Sequence, residues 1–128
     1  MSRRAVAIGL KIPDNAAYTA LTTLRRLGIE VARVERNEIV LVEDGGTAAQ
    51  IVDRVQRDES LFNPNKHRVT VLDGDTPRPG EVWIEDGSRI VGWRLSTAPG
   101  EPASEELLSL ACERLLCNPA VERAMFPR

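Results

Sequence analysis

The stretch Leu115-Leu116-Cys117-Asn118-Pro119-Ala120-Val121-Glu122, near the C-terminus, decides how the sequence divides. A shorter copy, Leu61-Phe62-Asn63-Pro64, occurs in the middle of the chain. In both, an apolar helical pattern runs into Asn-Pro. Proline disfavours the α conformation of the residue before it and supplies no N–H for a further turn. We therefore expect each Asn-Pro to end a helix, and two such stops indicate a duplicated structural unit.

The first unit begins with a strand, since apolar residues alternate with small ones over residues 5–12. Asp14 or Asn15 then caps a helix that ends at Gly28. Two strands follow, residues 29–36 and 38–43, and we expect a tight turn at Arg36-Asn37 to join them as a hairpin.

Thr47 and Gln50 form a capping-box pattern that starts a second helix, and residues 68–72 read as a further strand. Residues 1–73 thus follow the order strand, helix, strand, strand, helix, strand. This order predicts an α+β fold, the ferredoxin-like βαββαβ antiparallel sheet with helices on one face.

Residues 74–80 have the composition of a linker, and residues 81–128 read as a partial second repeat with the order ββαβ. A hairpin turn at Asp86-Gly87 places Trp83 opposite Ile90, with Trp93 on the other face of the ribbon. A helix capped by Ser104 and a short strand within 121–126 complete it. This half repeats residues 29–73 without the opening strand and helix, and we expect it to pack on the first unit.

The composition bears on whether the protein binds nucleic acid or membranes and on where it is located. A net charge of −2 over 128 residues does not favour binding to nucleic acid or to an anionic membrane. No apolar stretch approaches the roughly 20 residues that span a bilayer, and no signal peptide is recognisable, so we expect a cytoplasmic protein. Cys112 and Cys117 lie five apart on a predicted helix, roughly 140° apart around its axis, and do not pair with each other there.

The sequence offers no catalytic residue, metal ligand set or cofactor motif. His67, the only histidine, reads as a strand-edge residue. Two helix starts are weak candidates for a ligand loop. Free N–H groups at Gly45, Gly46 and Thr47 suit a phosphate, although no lysine follows and an ordinary capped helix is the simpler interpretation. Asp14 and Asn15 suit a small polar ligand, and N-capping alone also accounts for them.

Other residues suit a subunit interface. Trp83 and Trp93 either pack in the core or anchor a partner, where tryptophan is enriched. The full set of motif and interface candidates comprises Asn63, Pro64, Trp83, Trp93, Leu116, Asn118 and Pro119.

The segment from Cys112 to Glu122 resembles the Cys-Glu-Lys-Leu-Leu-Ala-Asn-Pro-Val-Ile-Glu type of segment of PurS, the small subunit of phosphoribosylformylglycinamidine synthase. The order of elements over residues 5–73 is also similar to a whole PurS unit. The resemblance implies a non-catalytic, homo-oligomeric subunit of purine biosynthesis that bridges the PurL synthetase and the PurQ glutaminase. Family members are typically a single unit, whereas this chain adds residues 74–128.

Two alternatives remain open. An ACT-like regulatory module has the same order of elements and binds amino acids near the first strand-to-helix turn, here Pro13-Asp14-Asn15, although the glycine common at that turn is missing. The other alternative is an oligomeric protein with an enzyme site between subunits.

Overall fold

The computed structural model describes residues 3–43 and 45–127. Within them, one antiparallel sheet is combined with three α-helices, which confirms the prediction of an α+β fold. The strands are β1 (Arg3–Leu10), β2 (Arg33–Glu43), β3 (His67–Val71), β4 (Glu81–Glu85), β5 (Ile90–Ala98), β6 (Glu101–Pro102) and β7 (Arg123–Met125). The helices are α1 (Asn15–Arg26), α2 (Ala48–Gln56) and α3 (Glu105–Ala111), the last continuing as a π-helix, Cys112–Leu116.

The strands lie in the order β3-β1-β2-β5-β4-β7, with β6 paired to β5. The registers place Val6, Val40, Val82 and Leu95 on one face of the sheet. Residues of α2 pack with Val6, and residues of α1 and α3 pack with Val82 and Leu95. All three helices therefore cover the same face.

The predicted hairpin at Arg36-Asn37 is wrong, because β2 is one continuous strand. Asn37 has no positive φ and is 93% buried, with Gly9 and Gly92 as its neighbours on the two adjacent strands. A Cβ at Gly9 would collide with Asn37 Oδ1. Gly9 thus leaves room for a buried amide side chain in an extended strand. On the other side of β2, β5 pairs with residues 33–39, the stretch in which the turn was predicted.

The two Asn-Pro segments end their helices differently. The π-helix stops at Leu116, and Cys117 before Asn118-Pro119 is extended, as predicted. By contrast α2 already ends at Gln56, well before Asn63-Pro64, so that predicted stop is wrong. Asp58 accounts for the early end, because its carboxylate binds the Ser60 N–H and hydroxyl and favours a turn over a further helical turn.

The two segments nevertheless form the same turn. Asn63 Oδ1 accepts a hydrogen bond from Asn65 N, and Asn118 Oδ1 accepts one from Ala120 N. The backbone N–H of each asparagine is bound by the side chain four residues later, Nδ1 of His67 or Oε1 of Glu122. Each turn leads into an edge strand, β3 or β7.

The two halves of the sheet are related by an approximate two-fold axis. When Asn63 is matched with Asn118, the strand registers match β1 with β4 and β2 with β5. Glu38 and Val91, which lie opposite each other, are then counterparts, so the axis passes between them. Because the hairpin is absent, residues 81–128 correspond to β1, β2, α2 and β3, and α1 has no counterpart.

The β4–β5 hairpin turns one residue later than predicted. Asp86 Oδ1 accepts hydrogen bonds from the N–H groups of Ser88 and Arg89, so Gly87, with φ of 95°, is the first residue of the turn. Trp83 therefore lies opposite Gly92 and not Ile90, while Trp93 does lie on the other face.

Residues 72–80 connect edge strand β3 to β4 across the sheet face opposite the helices. Leu72 packs there with Ala5, Ala7 and Trp83. The Arg78 guanidinium forms a forked ion pair with the fully buried Glu81, with N–O distances of 3.2 and 2.9 Å. The predicted linker is thus a packed covering of this face.

Gly92→Ala tests how tightly this face is packed. An added Cβ would lie 3.0 Å from Ile39 and 3.2 Å from Glu81 Oε2. We expect a loss of about 1–3 kcal/mol in the free energy of unfolding, measured by urea denaturation. Gly74→Ala is the control, since a Cβ there meets nothing within 4 Å. Equal stability of the two variants would contradict the packing described.

The pKa of Asp86 provides a second test. Hydrogen bonds from the backbone of Ser88, then of Arg89 and from the Ser88 hydroxyl, lower it from 3.8 to about 2. Because the folded pKa is the lower one, the stability contributed is present above pH 3.8 and is lost as pH falls through 2. Carboxyl NMR should show Asp86 titrating near pH 2, and a midpoint at or above 3.8 would contradict the turn geometry.

Candidate functional site

Three side chains, Asp14, Arg36 and Trp93, lie in a row on the helix-covered face, beginning at the turn between β1 and α1. Asp14 caps α1, its Oδ1 accepting hydrogen bonds from Ala16 N and Ala17 N at 3.0 and 3.1 Å. Its Oδ2 lies 3.9 Å from the Arg36 guanidinium, which stands 5.9 Å above the ring of Trp93. Arg36 and Trp93 face each other across β2 and β5, so the sheet register fixes the row.

An apolar groove of about 440 Å³ lies beside this row, between α1 and the π-helix. Its lining contains no charged side chain and consists of Asn15, Ala16, Thr19, Ala20, Thr23, Trp93, Leu115 and Leu116. Leu116 is 92% buried in the core, whereas Leu115 is 40% exposed. In the groove, Leu115 is therefore accessible to a partner, whereas Leu116 is packed in the core beneath it.

The π-helix shapes one wall of the apolar groove. Cys117 N donates to Cys112 O at 3.2 Å, a bond that spans five residues and widens the turn. Such single π turns are frequent at functional sites. The prediction of a regular helix through Leu116 missed this feature. Cys112 and Cys117 are both free, in agreement with the prediction that they do not pair with each other.

Neither cysteine has the character of a nucleophile. Burial, followed by the charge of Cys117, raises the pKa of Cys112 to about 12. Burial, followed by the carboxylate of Glu122, also raises the pKa of Cys117. Both are free thiols and stay protonated at neutral pH, where the thiolate is the reactive form.

A second, polar cavity of about 200 Å³ lies on the internal two-fold axis, and we call it the axial cavity. Its polar lining comprises Asp14, Arg36, Glu38, Ser60, His67 and Arg89. Arg89 lies 3.5 Å from Glu38, with side chains that are 58% and 41% exposed. Arg36 and Arg89 are counterparts under the axis, so each half of the chain supplies one guanidinium.

The other candidate loop, Gly45-Gly46-Thr47, lies away from both sites. Thr47 Oγ1 accepts from Gln50 N, and Gln50 Oε1 accepts from Thr47 N, which confirms the capping box. These bonds use two of the N–H groups that a phosphate would need, and the geometry is that of an ordinary capped helix.

The remaining candidates are spread over the sheet. Trp83 is fully buried on the face opposite the helices, and its Nε1 has no hydrogen-bond partner among the residues that the structure describes. Asn63-Pro64 and Asn118-Pro119 lie at opposite edges of the sheet. Only the first pair adjoins a site, because the Asn63 N–H holds His67, which lines the axial cavity.

Sequence reasoning missed Arg36, Glu38 and Arg89 as site residues. Arg36 was assigned to a turn, and nothing near Arg89 in the sequence marks it. The signal lies in the register of β2 with β5, which local patterns do not specify.

Within residues 3–43 and 45–127, no group of three or more His, Cys, Asp or Glu side chains is placed to hold a metal ion. Among the same residues, no helix has the length and apolar character needed to cross a membrane.

Comparisons with protein-family models, with curated proteins and with solved structures give no significant match to this chain.

Proposed function

We propose that this chain is a non-catalytic assembly subunit of a PurS-like type, with a PurL-like synthetase and a PurQ-like glutaminase as its partners and with self-association into a homo-oligomer. The observation that carries the proposal is the apolar groove. The segment that resembles PurS, Cys112 to Glu122, contributes Leu115 and Leu116 to its wall.

The groove has the character of a docking site for an apolar side chain or a short helix. Its α1 wall is made of alanines and threonines, which let a partner backbone approach closely. Trp93 forms part of the lining, and tryptophan is enriched where partners bury their central contacts. A partner that presents apolar anchors at helical spacing would fit such a groove.

The proposal includes a ferredoxin-like origin of the fold, with one strand of the sheet replaced by another. The strands β3, β1 and the later part of β2 are the neighbours that the βαββαβ prediction needs. On the other side of β2, residues 33–39 pair with β5, which comes from the part of the chain that typical PurS proteins lack. We propose that this internal strand substitutes for the missing hairpin strand.

Leu115→Asp tests the groove as a docking site. Leu115 is 40% exposed, so a charge there costs little in folding but places a carboxylate in an apolar contact. We expect at least tenfold weaker binding to the partner subunits, measured by biolayer interferometry with the synthetase and the glutaminase, separately and together. Leu110→Asp is the matched control, since Leu110 is 39% exposed on α3 and lies outside the groove.

Several results would contradict the proposal. One is the absence of binding to either partner in the presence of glutamine and ATP. Equal binding by the Leu115→Asp and Leu110→Asp variants would remove the groove from the interface. Leu116 is less suited to this test because it is buried, and its truncation would destabilise the fold.

A further inference from the structure

The axial cavity has a feature that the assembly function leaves unexplained. Its floor lies where the two halves of the sheet meet, and on this floor the inward positions of β2 and β5 include Arg36 and Glu38 in place of apolar residues. A helix-covered sheet face ordinarily presents apolar side chains to its helices. The Arg36 and Glu38 side chains are 34% and 41% exposed, so these polar groups are accessible to a ligand from solvent.

The two arginines have unused hydrogen-bonding capacity. Within the part of the chain that the structure describes, the Arg36 guanidinium donates no hydrogen bond, and its nearest carboxylate oxygen, in Asp14, is 3.9 Å away. Arg89 approaches Glu38 no closer than 3.5 Å. Each guanidinium carries five N–H donors in a fork that matches a carboxylate. Both forks border the same small space.

The carboxylates of the cavity decide which ligand class fits. Asp14 and Glu38 balance the charges of Arg36 and Arg89, so a simple anion meets two carboxylates and a simple cation meets two guanidinium groups. A molecule that carries both charges satisfies each pair. Its carboxylate would bind the guanidinium groups of Arg36 and Arg89, and its ammonium group would bind the carboxylates of Glu38 and Asp14.

Size and the remaining lining restrict the ligand further. A cavity of about 200 Å³ has room for a small molecule only. Ile8, Leu61 and Val91 provide an apolar wall. We propose that the axial cavity binds a small zwitterion with a carboxylate, an ammonium group and a small apolar substituent. The site is formed within one chain, and its lining shares no residue with that of the apolar groove.

Calorimetry with the full chain tests this proposal. We expect saturable binding of at least one free amino acid from a panel of the twenty standard ones. Matched compounds then separate the charges: for valine, isovalerate lacks the ammonium group and isobutylamine lacks the carboxylate. Both should bind at least tenfold more weakly than the zwitterion. No binding across the panel, or equal binding of isovalerate, would overturn the proposal.

Variants locate the site. Arg36→Gln and Arg89→Gln should each weaken binding at least tenfold. Arg57→Gln is the control and should leave affinity unchanged, because Arg57 is an exposed arginine paired with Asp53 on the surface of α2. The Arg89 side chain is 58% exposed, so its replacement tests the site even where Arg36→Gln impairs folding. Unchanged affinity in the Arg89→Gln variant would overturn the assignment.

Discussion

The antiparallel pairing of β2 with β5 holds the molecule together. Residues 37–43 of β2 pair with β1, and residues 33–39 of the same strand pair with β5. Only a continuous strand can join both neighbours. A turn at Arg36-Asn37 would have left β5 without its partner and the two halves without a common sheet, because β2–β5 is the pairing through which the halves meet.

Glycine makes this continuity physically acceptable at Asn37. Buried amides are costly in a sheet interior, and asparagine is depleted in strands. Here Gly9, opposite Asn37 on β1, leaves the space that the side chain occupies, since a Cβ at Gly9 would collide with Asn37 Oδ1. Considered by itself, Asn37 indicates a turn, because asparagine tolerates the left-handed conformation that a hairpin turn requires. The information that overrides this turn signal lies in Gly9, which is distant in sequence from Asn37 and outside any short window around it.

The sequence predicts the parts of the site that depend on neighbouring residues, and it does not predict those that depend on residues distant in sequence. Asp14, Thr47 and Ser104 were predicted as caps, and all three bind helix N–H groups, because capping depends on neighbouring residues only. Arg36, Glu38 and Arg89 come together only through strand register. The two Asn-Pro segments form the same turn, because that turn depends on neighbouring residues only. The predicted end of α2 at Asn63-Pro64 was wrong, because Asp58 favours an earlier turn.

Arg36 links the two candidate sites. Its guanidinium lines the axial cavity and also stands over Trp93, which lines the apolar groove on the other side. A ligand carboxylate that drew Arg36 toward the cavity would weaken its contact with the indole ring and would alter the surface offered to a docking partner. Coupling of this kind is reciprocal, so a partner that held Trp93 in its present position would change the affinity of the cavity by the same factor. The strand register that the sequence did not reveal is thus also what would join a ligand site to an assembly site.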